Sequence, residues 1–261
     1  MSENKTLRGM RDFLPEEANV MKHIESEARR TAELYGYREI ITPVVESYEL
    51  LATKAGEEVR LRMFAFKDLG GRMIALRPEF TPSIARLVAT TLRNEPRPYR
   101  LFCLGSLYRY DEPQRGRYRE FWQSDFELIG SSKPEADTEI LLMTANLMEA
   151  VCLKNFGFKI GHVGVLRGVM SQEKLEPKVQ DTVMQLMDKA QYDNALKVVE
   201  EAGGSKKCLA ILRELVGLKG NDVSEVVGKM KKCVKDYAEA MAATNNLSEI
   251  LRLVSESGSK M

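Results

Sequence analysis

The amino-acid sequence predicts an α+β fold, in which helices flank an antiparallel sheet and a small helical domain follows. In the first half, helical periodicity alternates with short runs rich in β-branched and aromatic residues. From Pro134 onward, apolar residues recur almost only at helical spacing. The 261 residues, of which 44% are hydrophobic, are enough for such a core and an attached domain. We therefore expect an α+β domain at residues 1–165 and a helical domain with a tail at 166–261.

The first predicted elements are a helix and the strand that follows it. Pro15 suits the first turn of a helix that should run to about Tyr35. Gly36 is placed to end this helix, because glycine readily adopts the left-handed conformation of a helix terminus. Residues 37–42 are rich in β-branched and aromatic residues and are therefore predicted to form a strand.

A short hairpin and a second helix come next in the prediction. Residues 63–67 and 72–76 should form antiparallel strands, because Gly70 and Gly71 between them allow the positive φ angles of a tight turn. After an extended segment, apolar residues at helical spacing predict a helix from about Ser83.

A long hairpin then precedes the helical half. Residues 99–110 and 119–130 are predicted strands, and the polar loop 111–118 joins them. Beyond Pro134 the pattern predicts helices, with one possible strand at residues 158–162.

The second strand of the long hairpin carries a polar face. A side-chain period of two puts Phe121, Gln123, Asp125 and Glu127 on one side of the strand. Burying an amide and two carboxylates is costly unless they are paired. This face is therefore either exposed to solvent or the floor of a polar ligand site, and hairpin geometry alone leaves both interpretations open.

Arginines are predicted near this face. Arg109 could hold a phosphate through two parallel hydrogen bonds, or it could form an ordinary ion pair with Glu127 or Asp125. The loop adds Arg115, Arg117 and Arg119. These loop cations suit a polyphosphate or an RNA end, although a solvated charged turn is the commoner explanation.

A second polar set lies in the extended segment before the predicted helix. Arg77, Glu79 and Thr81 alternate along the chain. In an extended segment, one face would therefore present a cation, a carboxylate and a hydroxyl group.

Composition excludes several classes of protein. Lys and Arg number 39 against 38 Asp and Glu, so contact with nucleic acid would need a local basic patch. The four cysteines are scattered and neither histidine lies near one, which argues against a metal site. No apolar run approaches the roughly 20 residues that span a bilayer, and the start lacks a secretory segment. We expect a cytoplasmic protein that contacts no membrane.

Because the sequence has no glycine-rich phosphate loop, arginines and stacking would have to hold any ATP.

These residues resemble those of a known family. The run from Tyr108 to Gln123 resembles motif 2 of histidyl-tRNA synthetases, and residues 76–82 resemble the family's amino-acid-binding segment. Residues 8–12 are similar to the family's opening segment, residues 37–43 to its motif 1, and residues 162–167 to the segment leading into its helical insertion. The resemblance implies the antiparallel sheet of class II aminoacyl-tRNA synthetases and, through motif 1, a homodimer.

The resemblance also implies an activity and its ATP site. The expected enzyme is an aminoacyl-tRNA ligase, a histidine–tRNA ligase, which activates histidine with ATP to histidyl-adenylate for transfer to tRNA(His). By this resemblance Arg109 is the catalytic residue and holds the ATP α-phosphate. Phe121 would stack on adenine, and Asp111 and Arg117 would help to bind ATP. Mg²⁺ is expected to accompany the nucleotide.

The histidine site is implied in the same way. Glu79, Thr81 and Gln123 would hold the α-amino group of histidine, and Glu127 would receive the imidazole.

The sequence departs from the family in two respects. Asp111 stands where the family has glutamate, so the acid is retained on a shorter side chain. After Leu253 no run resembles the family's later histidine-binding segment, its motif 3 or an anticodon-binding domain. We therefore expect the 261 residues alone to form adenylate slowly. We also expect an exposed or partner-covered sheet edge, whether the chain is a fragment or a naturally short paralogue.

A second function fits the same fold. The chain could be a non-catalytic paralogue that resembles the regulatory subunit of ATP phosphoribosyltransferase, which acts in histidine biosynthesis. The intact polar set on the long hairpin favours descent from a ligase, and the absent motifs favour a regulatory or binding role. A purely structural domain would leave the polar strand face without a ligand.

Overall fold

The computed structural model describes residues 5–53 and 55–258, and they form two compact units. The first unit contains the residues up to Ser132 together with Leu142–Asn155. The second contains Lys133–Leu141 and the residues from Phe156 onward. The predicted domain boundary at residue 165 stays a prediction.

The first unit combines helices and strands. Its elements are α1 (Pro15–Leu34), β1 (Arg38–Glu39), β2 (Val45–Ser47), α2 (Tyr48–Ala52), α3 (Glu57–Leu61), β3 (Ala65–Lys67), β4 (Met73–Leu76), α4 (Thr81–Thr90), β5 (Tyr99–Tyr108) and β6 (Glu120–Ile129). Helix α5 (Pro134–Ala150) contributes residues to both units. The second unit continues with α6 (Val163–Gln172), α7 (Pro177–Asp188), α8 (Tyr192–Glu201), α9 (Lys206–Gly217), α10 (Val223–Cys233) and α11 (Ala238–Glu256).

Helix α1 confirms the predicted helix, and the strand after it is shorter than predicted. Pro15 occupies the first turn, and Gly36 adopts a φ of 78° directly beyond the helix end. Strand β1 covers only two of the residues predicted at 37–42. The reason is that the Thr42 carbonyl accepts a hydrogen bond from the side chain of Arg77 instead of extending a strand ladder.

The strands form two small sheets among the described residues. Strand β5 pairs parallel with β1 and antiparallel with β6, so this sheet is mixed and not wholly antiparallel as predicted. Strand β4 pairs antiparallel with β2 and β3, which confirms the predicted short hairpin. Strand β2 was not predicted from the sequence, because it has only three residues.

The core of the first unit lies between β5 and α4. Leu101, Cys103 and Leu107 of β5 are buried with Phe80 and Ile84. Helix α4 begins at Thr81, slightly before the predicted start, because Pro82 is tolerated within a first helical turn. Glu79, just before α4, and Thr81, its first residue, therefore lie on the side of β5 that α4 covers.

The second unit has a helical core of its own, consistent with the predicted helical half. Gly168 of α6 lies so close to α11 that an added Cβ would come within 2.4 Å of the Ala240 backbone nitrogen. The predicted strand at 158–162 is wrong, since these residues form neither helix nor strand. They lead instead into α6, where His162 Nδ1 accepts a hydrogen bond from the Gly164 amide and so caps the helix.

Candidate active site

The polar strand face predicted on β6 is confirmed by its pairing with β5. Phe121, Gln123, Asp125 and Glu127 lie opposite Leu107, Gly105, Cys103 and Leu101, in that order. The β5 partners are apolar or small and mostly buried, whereas the four β6 residues are only partly buried. We call these four β6 residues the polar strip. They lie beside mostly buried apolar or small residues of β5.

Arg109 and Phe121 lie together at one end of this strip. The guanidinium carbon of Arg109 is 5.2 Å from the centroid of the Phe121 ring. Its Nε donates a hydrogen bond to the Pro78 carbonyl at 2.9 Å, which fixes the side chain from one edge. The alternative ion pair of Arg109 with Glu127 or Asp125 is not formed within the described residues. This arrangement offers a cation beside an aromatic face.

The residues assigned to histidine lie along the same strip. Thr81 Oγ1 donates to Glu127 Oε1 at 2.7 Å. Gln123 Nε2 donates to Asp125 Oδ1 at 3.4 Å. Glu79 is partly buried, and its charge acts on Asp125. The structure therefore brings the predicted residues together, and their contacts with a ligand stay predictions.

Asp125 was placed on this face by its strand position, but no role followed from the sequence. Burial is the largest cause that raises the pKa of its carboxyl group, to about 6, and the charges of Glu127 and Glu79 act in the same direction. The hydrogen bond from Gln123 acts against them. Among the described residues, Asp125 Oδ2 is buried and has no hydrogen-bond partner. The only sequence signal for Asp125 was the period of two on β6.

Arg77 does not share the open face with Glu79 and Thr81, so that expectation is wrong. Its side chain is 6% exposed, with Nη1 donating to the Thr42 carbonyl at 2.7 Å and Nε to the Ser106 carbonyl at 3.1 Å. The guanidinium also lies 4.4 Å from the centroid of the Phe80 ring. Burial lowers the pKa of Arg77. The segment turns into α4 instead of staying extended, so the alternating pattern breaks.

Asp111, in the loop of the long hairpin, contacts two arginines. It is 8% exposed, and Oδ1 accepts from Arg62 Nη1 at 3.0 Å. Arg117 Nε lies 3.6 Å from the other carboxylate oxygen. Arg62 was not singled out in the sequence, because its partner lies far along the chain. The predicted contact of Asp111 with ATP stays a prediction. The observed contact with Arg117 would let Asp111 influence ATP binding through that arginine.

The N-terminal segment, residues 7–13, contacts the same loop and β6. The Arg119 amide donates to the Gly9 carbonyl at 2.7 Å, and the Phe13 and Trp122 rings meet edge to face at 5.3 Å. The guanidinium of Arg11 lies 4.5 Å from the centroid of the Tyr118 ring. This segment therefore supports the loop that carries Arg117.

Neither a metal-binding cluster nor a membrane-spanning helix is found in the part of the chain that the structure describes. No cluster of three His, Cys, Asp or Glu side chains is arranged to hold a metal ion in this part of the chain. None of the helices described is both long enough and apolar enough to cross a bilayer.

Comparison with known proteins identifies the family. Residues 9–261 match the family model described as histidyl-tRNA synthetase. The histidine–tRNA ligase of Methanocaldococcus jannaschii is 41% identical over 247 residues, which cover 95% of this chain and 58% of that protein. The enzyme of the same name from Saccharolobus solfataricus is 41% identical over 227 residues, covering 87% of this chain and 53% of the relative. The chain therefore spans little more than half the length of these curated relatives.

Solved structures share the fold. A Bacillus halodurans protein described as an ATP phosphoribosyltransferase regulatory subunit/histidyl-tRNA synthetase matches 99% of this chain and 66% of its own with a TM-score of 0.87, at 25% identity. The histidyl-tRNA synthetase of Nostoc sp. PCC 7120 matches 98% of this chain and 58% of its own with a TM-score of 0.78, at 21% identity. The family match over nearly the whole sequence, together with these folds, shows that the chain belongs to the histidyl-tRNA synthetase family.

Proposed function

We propose that this chain carries the amino-acid-activating part of a histidine–tRNA ligase, which joins histidine to ATP as histidyl-adenylate for transfer to tRNA(His). The proposal rests most on one observation, the placement of Arg109 beside Phe121 at the end of the β6 polar strip. Family membership supports the same reaction. The substrates are proposed because the curated relatives are much longer than this chain.

In the proposed reaction, ATP binds at the end of the strip that holds Phe121 and Arg109. Phe121 stacks on adenine and brings the α-phosphate to Arg109, whose guanidinium has donors left beside its bond to Pro78. The histidine carboxylate attacks that phosphate and pyrophosphate leaves. Arg109 stabilises the negative charge that grows on the phosphate in the transition state.

Histidine binds along the rest of the strip in this proposal. Glu79, Thr81 and Gln123 hold the α-ammonium group, and Glu127 receives the imidazole. Thr81 donates to Glu127, so the two ends of the amino-acid site are joined by a direct hydrogen bond. This bond fixes the Glu127 carboxylate before the ligand arrives.

Arg117 contacts the phosphates of ATP, and Asp111 positions it. Mg²⁺ would be held mainly by the ATP phosphates, as is usual where this ion accompanies a nucleotide.

A second candidate function is regulatory, because the Bacillus halodurans structure carries both names and has a TM-score of 0.87. A regulatory chain would bind histidine but would not form adenylate.

The two functions are separated by histidine-dependent exchange of labelled pyrophosphate into ATP. We expect exchange by the 261-residue chain to be slow and to fall about a hundredfold or more in Arg109→Ala, since one preorganised charge donor is worth that much in rate. Arg93→Ala is the matched control, because Arg93 is an exposed arginine of the same unit. Histidine binding without any Arg109-dependent exchange would favour the regulatory function.

A further inference from the structure

One carboxylate oxygen on the polar strip has no hydrogen-bond partner in the part of the chain that the structure describes. Asp125 Oδ2 is buried, and no atom of residues 5–53 and 55–258 forms a hydrogen bond with it. Asp125 Oδ1 accepts only a long hydrogen bond, 3.4 Å from Gln123 Nε2. A buried acceptor without a partner is costly, so such an atom calls for an explanation.

Within residues 5–53 and 55–258, the groups that face Asp125 supply no compensating cation. Glu127 lies two residues along the same strand, and Glu79 approaches from the segment before α4. Cys103 lies directly opposite on β5, where burial raises the pKa of its thiol to about 12, so it is uncharged at neutral pH. Arg77 lies on this side of the sheet, but its guanidinium is bound to backbone carbonyls.

We infer that Asp125 is a further residue of the amino-acid site, whose Oδ2 accepts a hydrogen bond from the α-ammonium group of histidine. This inference rests on the proposed function. The ammonium end is assigned because Asp125 contacts Gln123 and lies within the electrostatic reach of Glu79, the two residues proposed for that group. Glu127 at the imidazole end already accepts a hydrogen bond from Thr81.

The assignment predicts that a proton leaves Asp125 when histidine binds. Without a ligand, three carboxylates share a partly buried strip, and near or below pH 6 a proton on Asp125 offsets part of the negative charge. The arriving ammonium group supplies a positive charge at the same place, so Asp125 releases its proton to the solvent. The ammonium thus replaces the proton, and no other group needs to change its charge.

Calorimetric titration tests the assignment with three ligands. Histidine and histamine carry both the ammonium and the imidazole, whereas 3-(imidazol-4-yl)propionate lacks the ammonium. Asp125→Asn should weaken histidine and histamine by about ten- to a hundredfold, the contribution of one charged hydrogen bond, and should leave the propionate nearly unchanged. Glu120→Gln is the control, because this carboxylate on the same strand faces the other side of the sheet and accepts from Tyr108.

Proton release is measured in the same titrations with two buffers of different ionisation enthalpy. At about pH 6 the wild-type chain should release more protons on binding histidine than Asp125→Asn does, and the difference should shrink towards about pH 7.5. The imidazole of the ligand also titrates in this range. Its contribution is common to both proteins and cancels in the difference.

Each outcome decides the inference. Equal affinity and equal proton release in wild type and Asp125→Asn would overturn it while the proposed function stands. Equal losses for all three ligands would place Asp125 at the imidazole end and overturn the ammonium assignment. Wild type that binds no histidine would overturn both proposals. If Asp125→Asn does not fold, Asp125→Ser and the wild-type proton count carry the test.

Discussion

Two glutamates of the proposed amino-acid site should fail in different ways when each is replaced by glutamine. Glu127→Gln removes the charge that faces the imidazole, so histidine, histamine and free imidazole should all bind more weakly. Glu79→Gln should weaken only ligands that carry the α-amino group. Each loss should be about ten- to a hundredfold, because a buried charged hydrogen bond contributes about 1.5–3 kcal/mol.

Calorimetry with these ligands and with ATP provides the measurement. ATP affinity should stay nearly constant in both variants, since neither side chain is assigned to the nucleotide. The assignment fails if both variants lose every ligand equally.

Gly105 should tolerate no side chain, because it lies against the buried guanidinium of Arg77. Its φ is 151°, and an added Cβ would lie 3.1 Å from Arg77 Nη2. Gly105→Ala should lower the free energy of unfolding by about 1–3 kcal/mol through backbone strain and overpacking. Urea denaturation measures this loss. Gly157→Ala is the control, because apart from its chain neighbours no atom of the described residues lies within 4 Å of a Cβ added there.

Asp125 should make the free energy of unfolding depend on pH. Its pKa is about 6 in the folded chain, and near 4 in an unfolded one. Between these values the folded state binds more protons, so this carboxylate lowers stability as the pH rises through the interval. The effect is absent below the unfolded pKa and complete above the folded one. Asp125→Asn should remove it, which urea denaturation across this pH range will measure. Parallel curves for the two proteins would contradict the shifted pKa.

The long hairpin is the element that the sequence predicted best. Strands β5 and β6 lie within two residues of the predicted bounds, because ten-residue strands carry a clear period of two. The polar face of β6 follows from the same periodicity. The length of β1 was overestimated and β2 was missed, since strands of two or three residues give almost no periodic signal.

The hairpin loop should bind ATP less well when Asp111 no longer holds its arginines. Asp111→Asn keeps the shape of the side chain but removes the charge that binds Arg62 and Arg117. The KM for ATP in pyrophosphate exchange should rise several-fold, while histidine affinity stays unchanged. Arg62→Ala should have the same effect, because it breaks the same cluster from a residue that contacts no proposed ligand. If neither variant alters ATP use, Asp111 does not position Arg117.

The family and the general architecture could be predicted from the sequence, but several contacts in the site could not. The motifs around Arg109 indicated the family, and the helical half followed from periodicity. The burial of Arg77 and the partner of Arg62 depend on residues distant in sequence, which no local pattern reveals. The unpaired oxygen of Asp125 likewise appears only when packing is known.

We predict that the chain forms a homodimer through the region that resembles motif 1. Apolar side chains in and beside this region are open to solvent: Ile41 is 92% exposed, and Val45, just after the region, is 41% exposed. Burying them against a second copy would be favourable, and two-fold pairing is the commonest assembly of soluble chains. Light scattering at micromolar concentration should give twice the chain mass. Ile41→Asp should shift it towards the monomer, whereas Val223→Asp in the helical unit should not. A wild-type monomer would refute the prediction.

The contact between the N-terminal segment and the hairpin loop has a consequence for biosynthesis. Arg8 and its partner Glu112 are 104 positions apart, so at usual rates of translation the segment waits roughly 5 to 20 seconds for the loop to be made. During this interval the ring of Phe13 has no surface on which to dock, because its partner Trp122 has not yet been made. The segment at residues 7–13 is therefore made well before the part of the fold that holds it, and it reaches its final position late on the ribosome. Codons that slow elongation before residue 122 would lengthen that exposure.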